Sequence, residues 1–247
     1  MIPQKIHYCW FGNKPLPKSA LNCIRSWERH FPDYEIVEWN ENNFDVKQIA
    51  YTKEAYEAKK YAFVSDYARF WILYNYGGIY FDTDVEVVKD MAPIISRGAF
   101  MGFELNPKND LNRSMRVNPG LGIGVEAGHP IYKSMIDYYG GIHWVSYRDA
   151  NKEMPTVVDY TTSLLNTLGL KQVEGVQNID GIFIYPSDYF CPISISDGKL
   201  RLTENTYTIH WFDQSWQTPL RKYGRRLILL IGGVGLKNLI KRIVGLK

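Results

Sequence analysis

The segment from Tyr61 to Asp84 constrains the fold of this 247-residue chain more than any other. Helical spacing runs from about Tyr61 to Asn75, with aromatics and Leu73 packed through it. Gly77-Gly78 ends that helix, as glycines just past a C-cap do. Ile79-Tyr80-Phe81 then reads as a short apolar strand that delivers Asp82-Thr83-Asp84 at its far end. Val85, Val87 and Val88 return the chain to an extended form at once. A helix feeding a buried strand with polar residues beyond it is a building unit of α/β domains, whose ligands lie outside the carboxyl ends of the strands.

The flanking segments agree. Ile6-His7-Tyr8-Cys9-Trp10-Phe11 is rich in β-forming residues and is stopped by Gly12-Asn13. Pro15 and Pro17 mark a loop, and Ser19 begins a helical stretch that places Leu21, Ile24, Trp27 and Phe31 on or near one face. Pro32-Asp33 breaks it, and Tyr34 to Trp39 reads as a second strand. Residues 46–76 hold two helical segments. Ala99 to Glu104 and Gly122 to Ala127 are strand candidates, Pro130 opens a helix to about Tyr139, and Tyr207 to Trp211 is a late strand. Residues 140–199 mix short helix and strand signals with no decisive pattern. The expectation is one α/β domain over residues 1–216.

Composition supports a packed body: 45% of residues are hydrophobic and 15% are aromatic, which excludes disorder. Seven Trp and eighteen Tyr exceed what most cores use, and such residues also line sugar and nucleobase sites. Cys9, Cys23 and Cys191 are odd in number and share no metal-ligand spacing, which favours a reducing compartment. The amino-terminal residues carry no signal-peptide pattern, and the longest apolar run, Leu227 to Ile231, is far short of a membrane span. A cytoplasmic location is expected. The formal charge of +3 excludes a dedicated nucleic-acid binder, but it averages two unlike parts. Residues 1–216 carry a net −5, whereas residues 217–247 carry eight basic residues and no acidic one.

Asp82 and Asp84, two apart beyond an apolar strand, are suited to share a hard divalent cation with substrate phosphates; a solvated acidic turn is the plainer alternative. Asp66 and Arg69 are three apart on the preceding helix and share a face. They suit an acceptor carboxylate against sugar hydroxyls, steadied by a guanidinium that also reaches phosphate, or else an ordinary surface ion pair. His210, just past the late strand, is a candidate third metal ligand or a structural histidine, and Ser215 a candidate phosphate donor. Trp10, at the end of the first strand, suits stacking on a base or burial in the core, and Trp216 a lid over a nucleotide or burial.

Ser65-Asp66-x-x-Arg69 followed by Leu73-Tyr74-x-x-Gly77-Gly78-Ile79-Tyr80-x-Asp82-x-Asp84 resembles the signature of the DXD-containing sugar transferases of glycosyltransferase family 32. These are relatives of the yeast initiating mannosyltransferase and, more distantly, of the large clostridial glucosylating toxins. Ile6 to Gly12, Gly128-His129-Pro130 and His210 to Trp216 extend the resemblance over residues 3–216. It implies a GT-A fold, a Rossmann-like nucleotide-binding domain with a mixed sheet, and transfer with retention from a nucleotide sugar using Mn²⁺ or Mg²⁺. By that analogy Trp10 stacks on the base, Asp66 and Arg69 hold the donor sugar, and Tyr80 and Asp82 sit by ribose and sugar. Asp84 and His210 bind metal, with Asp82 reaching it directly or through water, and Ser215 and Trp216 touch the diphosphate. Asp66, Arg69, Asp82 and Asp84 are the expected catalytic set. The implied reaction moves a hexose or N-acetylhexosamine, from a UDP-sugar, to a lipid-linked saccharide in bacterial capsular or surface polysaccharide synthesis. A sugar nucleotidyltransferase would use paired Asp on a similar sheet but needs a Gly-rich basic loop, of which Phe11-Gly12-Asn13-Lys14 is a poor version. A non-catalytic carbohydrate- or membrane-binding module would not need the acidic set.

In the tail, Leu236, Leu239, Ile240, Ile243 and Val244 fall on one helical stripe with Lys237, Lys241 and Arg242 off it. Such a helix docks on the body or lies on anionic lipid, where each basic residue contributes about 1 kcal/mol near the surface. The second reading, a peripheral enzyme on the inner face of the plasma membrane, suits a lipid-linked acceptor. Deleting residues 217–247 is expected to abolish co-sedimentation with anionic vesicles; unchanged co-sedimentation counts against it.

Overall fold

The protein is described by a computed structural model covering residues 1–104, 114–145, 155–173, 175–194 and 198–212. The segment proposed from sequence as a basic tail, with Ser215 and Trp216 before it, lies outside the described residues. Nine strands are present among them: β1 (Lys5–Cys9), β2 (Glu35–Trp39), β3 (Gly78–Tyr80), β4 (Val85–Val87), β5 (Phe100–Gly102), β6 (Ile123–Val125), β7 (Gln177–Ile179), β8 (Ile182–Tyr185) and β9 (Thr208–His210). The helices are α1 (Lys18–His30), α2 (Ala50–Glu57), α3 (Tyr61–Tyr76), α4 (Ala92–Ile95), α5 (Pro130–Gly140), α6 (Val157–Thr167) and α7 (Ser187–Phe190).

Seven strands form one mixed sheet in the order β2-β1-β3-β6-β5-β8-β7. Five of them run one way, and β6 and β7 oppose them. Side chains alternate across the strands, so each strand feeds two apolar layers. Ile6, Tyr8, Ile79 and Phe81 face Cys23 and Trp27 of α1. Cys9, Tyr80, Ile182 and Ile184 face the layer of α3 and α5 residues that holds Phe70, Leu73, Tyr132 and Met135.

The parallel pairing of β1 with β3 matches Ile6 to Ile79 and His7 to Tyr80, so Trp10 and Asp82 emerge at the same edge. Two glycines allow that close pairing. Gly77 and Gly78 have φ of 62° and 102°, and a Cβ on Gly78 would come 2.7 Å from the Lys5 carbonyl oxygen.

β4 and β9 form a separate antiparallel pair that matches Val85 to His210. Helix α1 holds β4 in place: Trp27 Nε1 donates to the Val85 carbonyl at 2.8 Å, and Val87 N donates to Ser26 Oγ at 2.9 Å. This contact corrects the expected face of α1. The buried residues are Ala20, Cys23, Ser26 and Trp27, and Leu21 is 37% exposed. Small side chains let α1 approach β4 closely, and the apolar stripe rotates to present them.

The stretch between residues 140 and 199 yields α6, β7, β8 and α7. β7 and β8 join through Asp180 and Gly181, with φ of 46° and 87°, the two positive values of a type I′ hairpin turn. No described helix is long and apolar enough to cross a membrane.

His7 sits inside the sheet, 1% exposed, with both ring nitrogens engaged. Nδ1 accepts from Trp39 Nε1 at 3.1 Å, which leaves Nε2 to donate to the Gly77 carbonyl at 3.0 Å. That arrangement needs a neutral ring. Burial pulls the pKa of His7 from 6.5 down to about 4, against the opposing pull of the Gly77 hydrogen bond. The unfolded chain therefore binds a proton at a higher pH than the folded one. The stability contribution is full above pH 6.5 and is lost as pH falls toward 4. The unfolding free energy of the wild type relative to His7→Gln, from urea titrations, is expected to be about 2 kcal/mol larger at pH 7 than at pH 4.5.

Candidate active site

The carboxyl edge of β1, β3 and β5 carries the site. Asp82 leaves β3 in a turn: its own amide donates to the Gly120 carbonyl at 3.3 Å, and its carbonyl accepts from Val85 N at 3.0 Å. One turn of α3 places Asp66 and Arg69 above it, both on the helix's buried face, with Arg69 3% exposed and Asp66 9%. The Asp66–Arg69 pair is thus interior, which removes the surface ion-pair alternative.

Arg69 joins the carboxylates. Its Nη2 lies 2.9 Å from Asp66 Oδ1 and 3.3 Å from Asp82 Oδ1, and its Nε donates to the Ser65 carbonyl at 3.2 Å. The guanidinium carbon lies 5.0 Å from the centre of the Tyr80 ring, and Tyr80 donates its hydroxyl to Asp82 Oδ1 at 3.0 Å. Tyr80 is itself buried, so it acts on the site through Asp82. Arg69 Nη1 is buried with no hydrogen-bond partner.

Burial pushes the Asp66 carboxyl up to about 7, with Asp82 adding to the rise and Arg69 opposing it. Asp82 is also raised, first by burial and then by the neighbouring Asp84 carboxylate, against the pull of Arg69. The Arg69 guanidinium is held firmly charged by Asp82, Tyr80 and Asp66, although burial works against it.

His210 enters from β9. Its pairing with β4 places it against Asp84, with His210 Nε2 3.1 Å from Asp84 Oδ1. Burial disfavours its charged form, but the Asp84 carboxylate outweighs that and raises its pKa. His210 Nδ1 is buried and has no hydrogen-bond partner. Asp82, Asp84 and His210 each offer one donor atom, and those three atoms lie within 4.8 Å of one another. Two carboxylate oxygens and an imidazole nitrogen are a donor set that fits Mn²⁺ or Mg²⁺, ions that usually complete their shells with water and phosphate oxygens.

Trp10 lies at the same edge, half-buried. Its backbone amide donates to the Trp39 carbonyl at 2.9 Å, and its indole N–H donates to the Lys14 carbonyl at 2.6 Å. The ring is therefore oriented by its own loop and is not part of the closed core. Ser215 and Trp216 lie outside the described residues.

Sequence reading missed the far wall of the site. Asn118, in the turn before β6, accepts from Gly120 N at 2.7 Å and donates to Glu104 Oε2 at 3.0 Å. Gly120 then abuts Asp82 so closely that a Cβ there would collide with Asp82 Oδ2. Glu104 is raised by burial, with Arg116 and Asn118 pulling the other way. Asn118-Pro119-Gly120 is a turn signal in the sequence, but nothing local indicates that this turn sits under Asp82.

Residues 17–101 match the family described as a glycosyltransferase sugar-binding region containing a DXD motif. Asp66, Arg69, Asp82 and Asp84 lie inside that span; His210, Asn118 and Glu104 lie beyond it. The chain is 32% identical over 111 residues to inositol phosphoceramide mannosyltransferase 1 of Schizosaccharomyces pombe, covering 40% of this chain. That alignment spans 33% of the yeast protein's length. It is 25% identical over 238 residues to an uncharacterized glycosyltransferase of Acanthamoeba polyphaga mimivirus, covering 90% of this chain and 86% of the viral one. The fold is similar to the solved PaToxG glycosyltransferase, with a TM-score of 0.50 at 22% identity over 67% of this chain and 69% of that one. A mixed α/β body of the GT-A kind is thus what the described residues form.

Removing Arg69 leaves two carboxylates in a buried setting without their cation, which typically costs 3–5 kcal/mol. Arg69→Ala is expected to lower the unfolding free energy by about 3 kcal/mol in urea titration. Gly120→Ala is expected to displace the Asp82 carboxylate from Arg69 and from the candidate cation site together; a loss of Mn²⁺ affinity by titration calorimetry, with a lowered urea midpoint, checks this.

Proposed function

We propose that the chain is a metal-dependent glycosyltransferase that transfers a hexose or N-acetylhexosamine from a UDP-sugar to a lipid-linked saccharide, with retention at the anomeric carbon. The observation that carries this reading is the convergence of Asp82, Asp84 and His210 at the end of β3, beside the buried Asp66–Arg69 pair. The match of residues 17–101 to a sugar-binding DXD region supports it.

In this reading Asp84 and His210 hold Mn²⁺ or Mg²⁺, with Asp82 directly or through water. The chemistry a bound cation supplies is neutralisation of the charge that develops on the leaving diphosphate. Arg69, kept charged by its carboxylate neighbours, steadies Asp66 and Asp82 as acceptors for donor-sugar hydroxyls. Trp10, turned by Lys14, offers its face to the base, and Ser215 and Trp216, outside the described residues, would touch the diphosphate.

The carboxylates described around the cluster are already engaged. Asp66 and Asp82 pair with Arg69, Asp84 with His210, and Glu104 with Asn118. That favours front-face attack over a carboxylate nucleophile: the acceptor oxygen bonds to C1 as the C1–O bond to the diphosphate breaks, and the departing phosphate oxygen takes the acceptor's proton. Two relatives from S. pombe are named for mannose and inositol phosphoceramide, which supports a lipid-borne acceptor and makes GDP-mannose a necessary arm of any donor screen. Bacterial surface polysaccharide is the proposed pathway. The basic segment 217–247 would hold the enzyme on the inner face of the plasma membrane.

The test is nucleotide release from a panel of UDP-sugars and GDP-mannose with Mn²⁺ or Mg²⁺. Turnover of a UDP-sugar is expected, with loss on chelation and a fall of about 100-fold or more in Asp84→Ala. No release from any donor overturns the reading, and a trapped glycosyl-enzyme adduct overturns front-face attack.

A further inference from the structure

A sizeable cavity lies away from Asp82 among the described residues. It is a groove of about 1100 Å³ between α5 and α6, lined by Arg116, Thr156, Asp159, Ser163, Tyr138 and Tyr160 among others. That is at the upper end of the range for ligand pockets, about 300–1000 Å³. Its lining runs from Thr156 to Thr167, the whole of an 11-residue helix and so about 16 Å.

The groove is wired to the site already described. Arg116 stands at its mouth, with Nη2 3.0 Å from Asp159 Oδ1 and 3.3 Å from Thr156 Oγ1. The same side chain turns its Nε toward Glu104, 3.7 Å from Oε1. Glu104 holds Asn118, Asn118 holds the Gly120 turn, and Gly120 packs on Asp82. Arg116, Glu104, Asn118 and Gly120 thus lead from the groove to the carboxylate at the end of β3 through one ion pair of 3.7 Å, two hydrogen bonds and a packing contact.

The lining also indicates the kind of ligand. Arg116 is the only cation of the groove among the described residues, and Asp159 and Glu104 both face it. No positive charge is left over, which disfavours a phosphate or sulfate. The pair instead presents donors and acceptors side by side, a match for hydroxyl groups that do both. Along the wall, Tyr138 is 40% exposed and packs on the buried Tyr160 with ring centroids 4.4 Å apart, so the Tyr138 ring is the amphipathic surface that would take the C–H face of a sugar.

We infer that the groove between α5 and α6 is a saccharide-binding subsite that holds the acceptor, with Arg116 joining it to the Asp82 cluster. The word acceptor rests on the proposed glycosyltransferase activity; saccharide binding in the groove does not.

Lactose, maltose and N,N′-diacetylchitobiose are the probes, titrated into the full chain without donor or metal and followed by saturation-transfer NMR. At least one is expected to bind in the millimolar range. Ser163→Trp, which places a large ring in the groove, and Tyr138→Ala, which removes its exposed aromatic ring, are each expected to weaken it at least tenfold. Lys133→Ala, on α5 outside the groove, is the control that leaves binding unchanged. The inference is overturned if none of the three sugars binds the wild type, or if both groove variants bind as the wild type does. Failure of nucleotide release from every donor, with groove binding intact, would instead remove the glycosyltransferase reading and leave the subsite standing.

Discussion

Two carboxylates and a guanidinium, Asp66 and Arg69 buried and Asp82 half-buried, set the terms for the rest of the structure. Asp66 and Asp82 come from a helix and a strand that would otherwise repel each other electrostatically, and Arg69 is the charge that lets both approach. Such a cluster is costly to desolvate. It is tolerable here because each partner is also hydrogen-bonded or stacked: Ser65 accepts from the guanidinium, Tyr80 donates to Asp82, and the Tyr80 ring lies close to the guanidinium carbon. The register of β1 with β3, the tight glycine pair before β3 and the Gly120 turn under Asp82 all serve to hold this geometry.

The arrangement also separates tasks within a small region. Arg69 satisfies Asp66 and Asp82 from one side, while Asp82, Asp84 and His210 converge on the other. One carboxylate, Asp82, belongs to both groups. Whatever changes its position changes the ion-pair cluster and the candidate cation site together, which is why the packing of Gly120 against it is a constraint on chemistry as well as on folding.

Much of this was legible in the sequence, and the part that was not has a physical reason. α3, the glycine break, β3 and the Asp-x-Asp turn are contiguous, so period and punctuation put Asp66 and Arg69 on one helix face and Asp82 and Asp84 past a strand end, and the family resemblance singled them out. His210 was readable as a polar residue at the end of a late strand, although its pairing with β4 was not. Glu104, Asn118 and Gly120 reach the site through strand order, and strand order is not a local property. The apolar stripe of α1 was misjudged at Leu21 because the face turned to β4 carries Trp27 together with the small residues Ala20, Cys23 and Ser26. The Asp180-Gly181 hairpin was a recognisable turn signal in a stretch that otherwise reads ambiguously.

The separate pairing of β4 with β9 carries a consequence for biosynthesis. His210 reaches Asp84 only when one of the last described strands lies down beside one of the earliest elements after β3. A growing chain can assemble the Asp66–Arg69–Asp82 cluster from residues made close together in time, but it has no complete cation site until residue 210 has left the ribosome. Any fragment ending before β9 would keep the carboxylates and lack the imidazole. If the cluster takes a cation as proposed, its imidazole donor is therefore added only when the body is nearly complete.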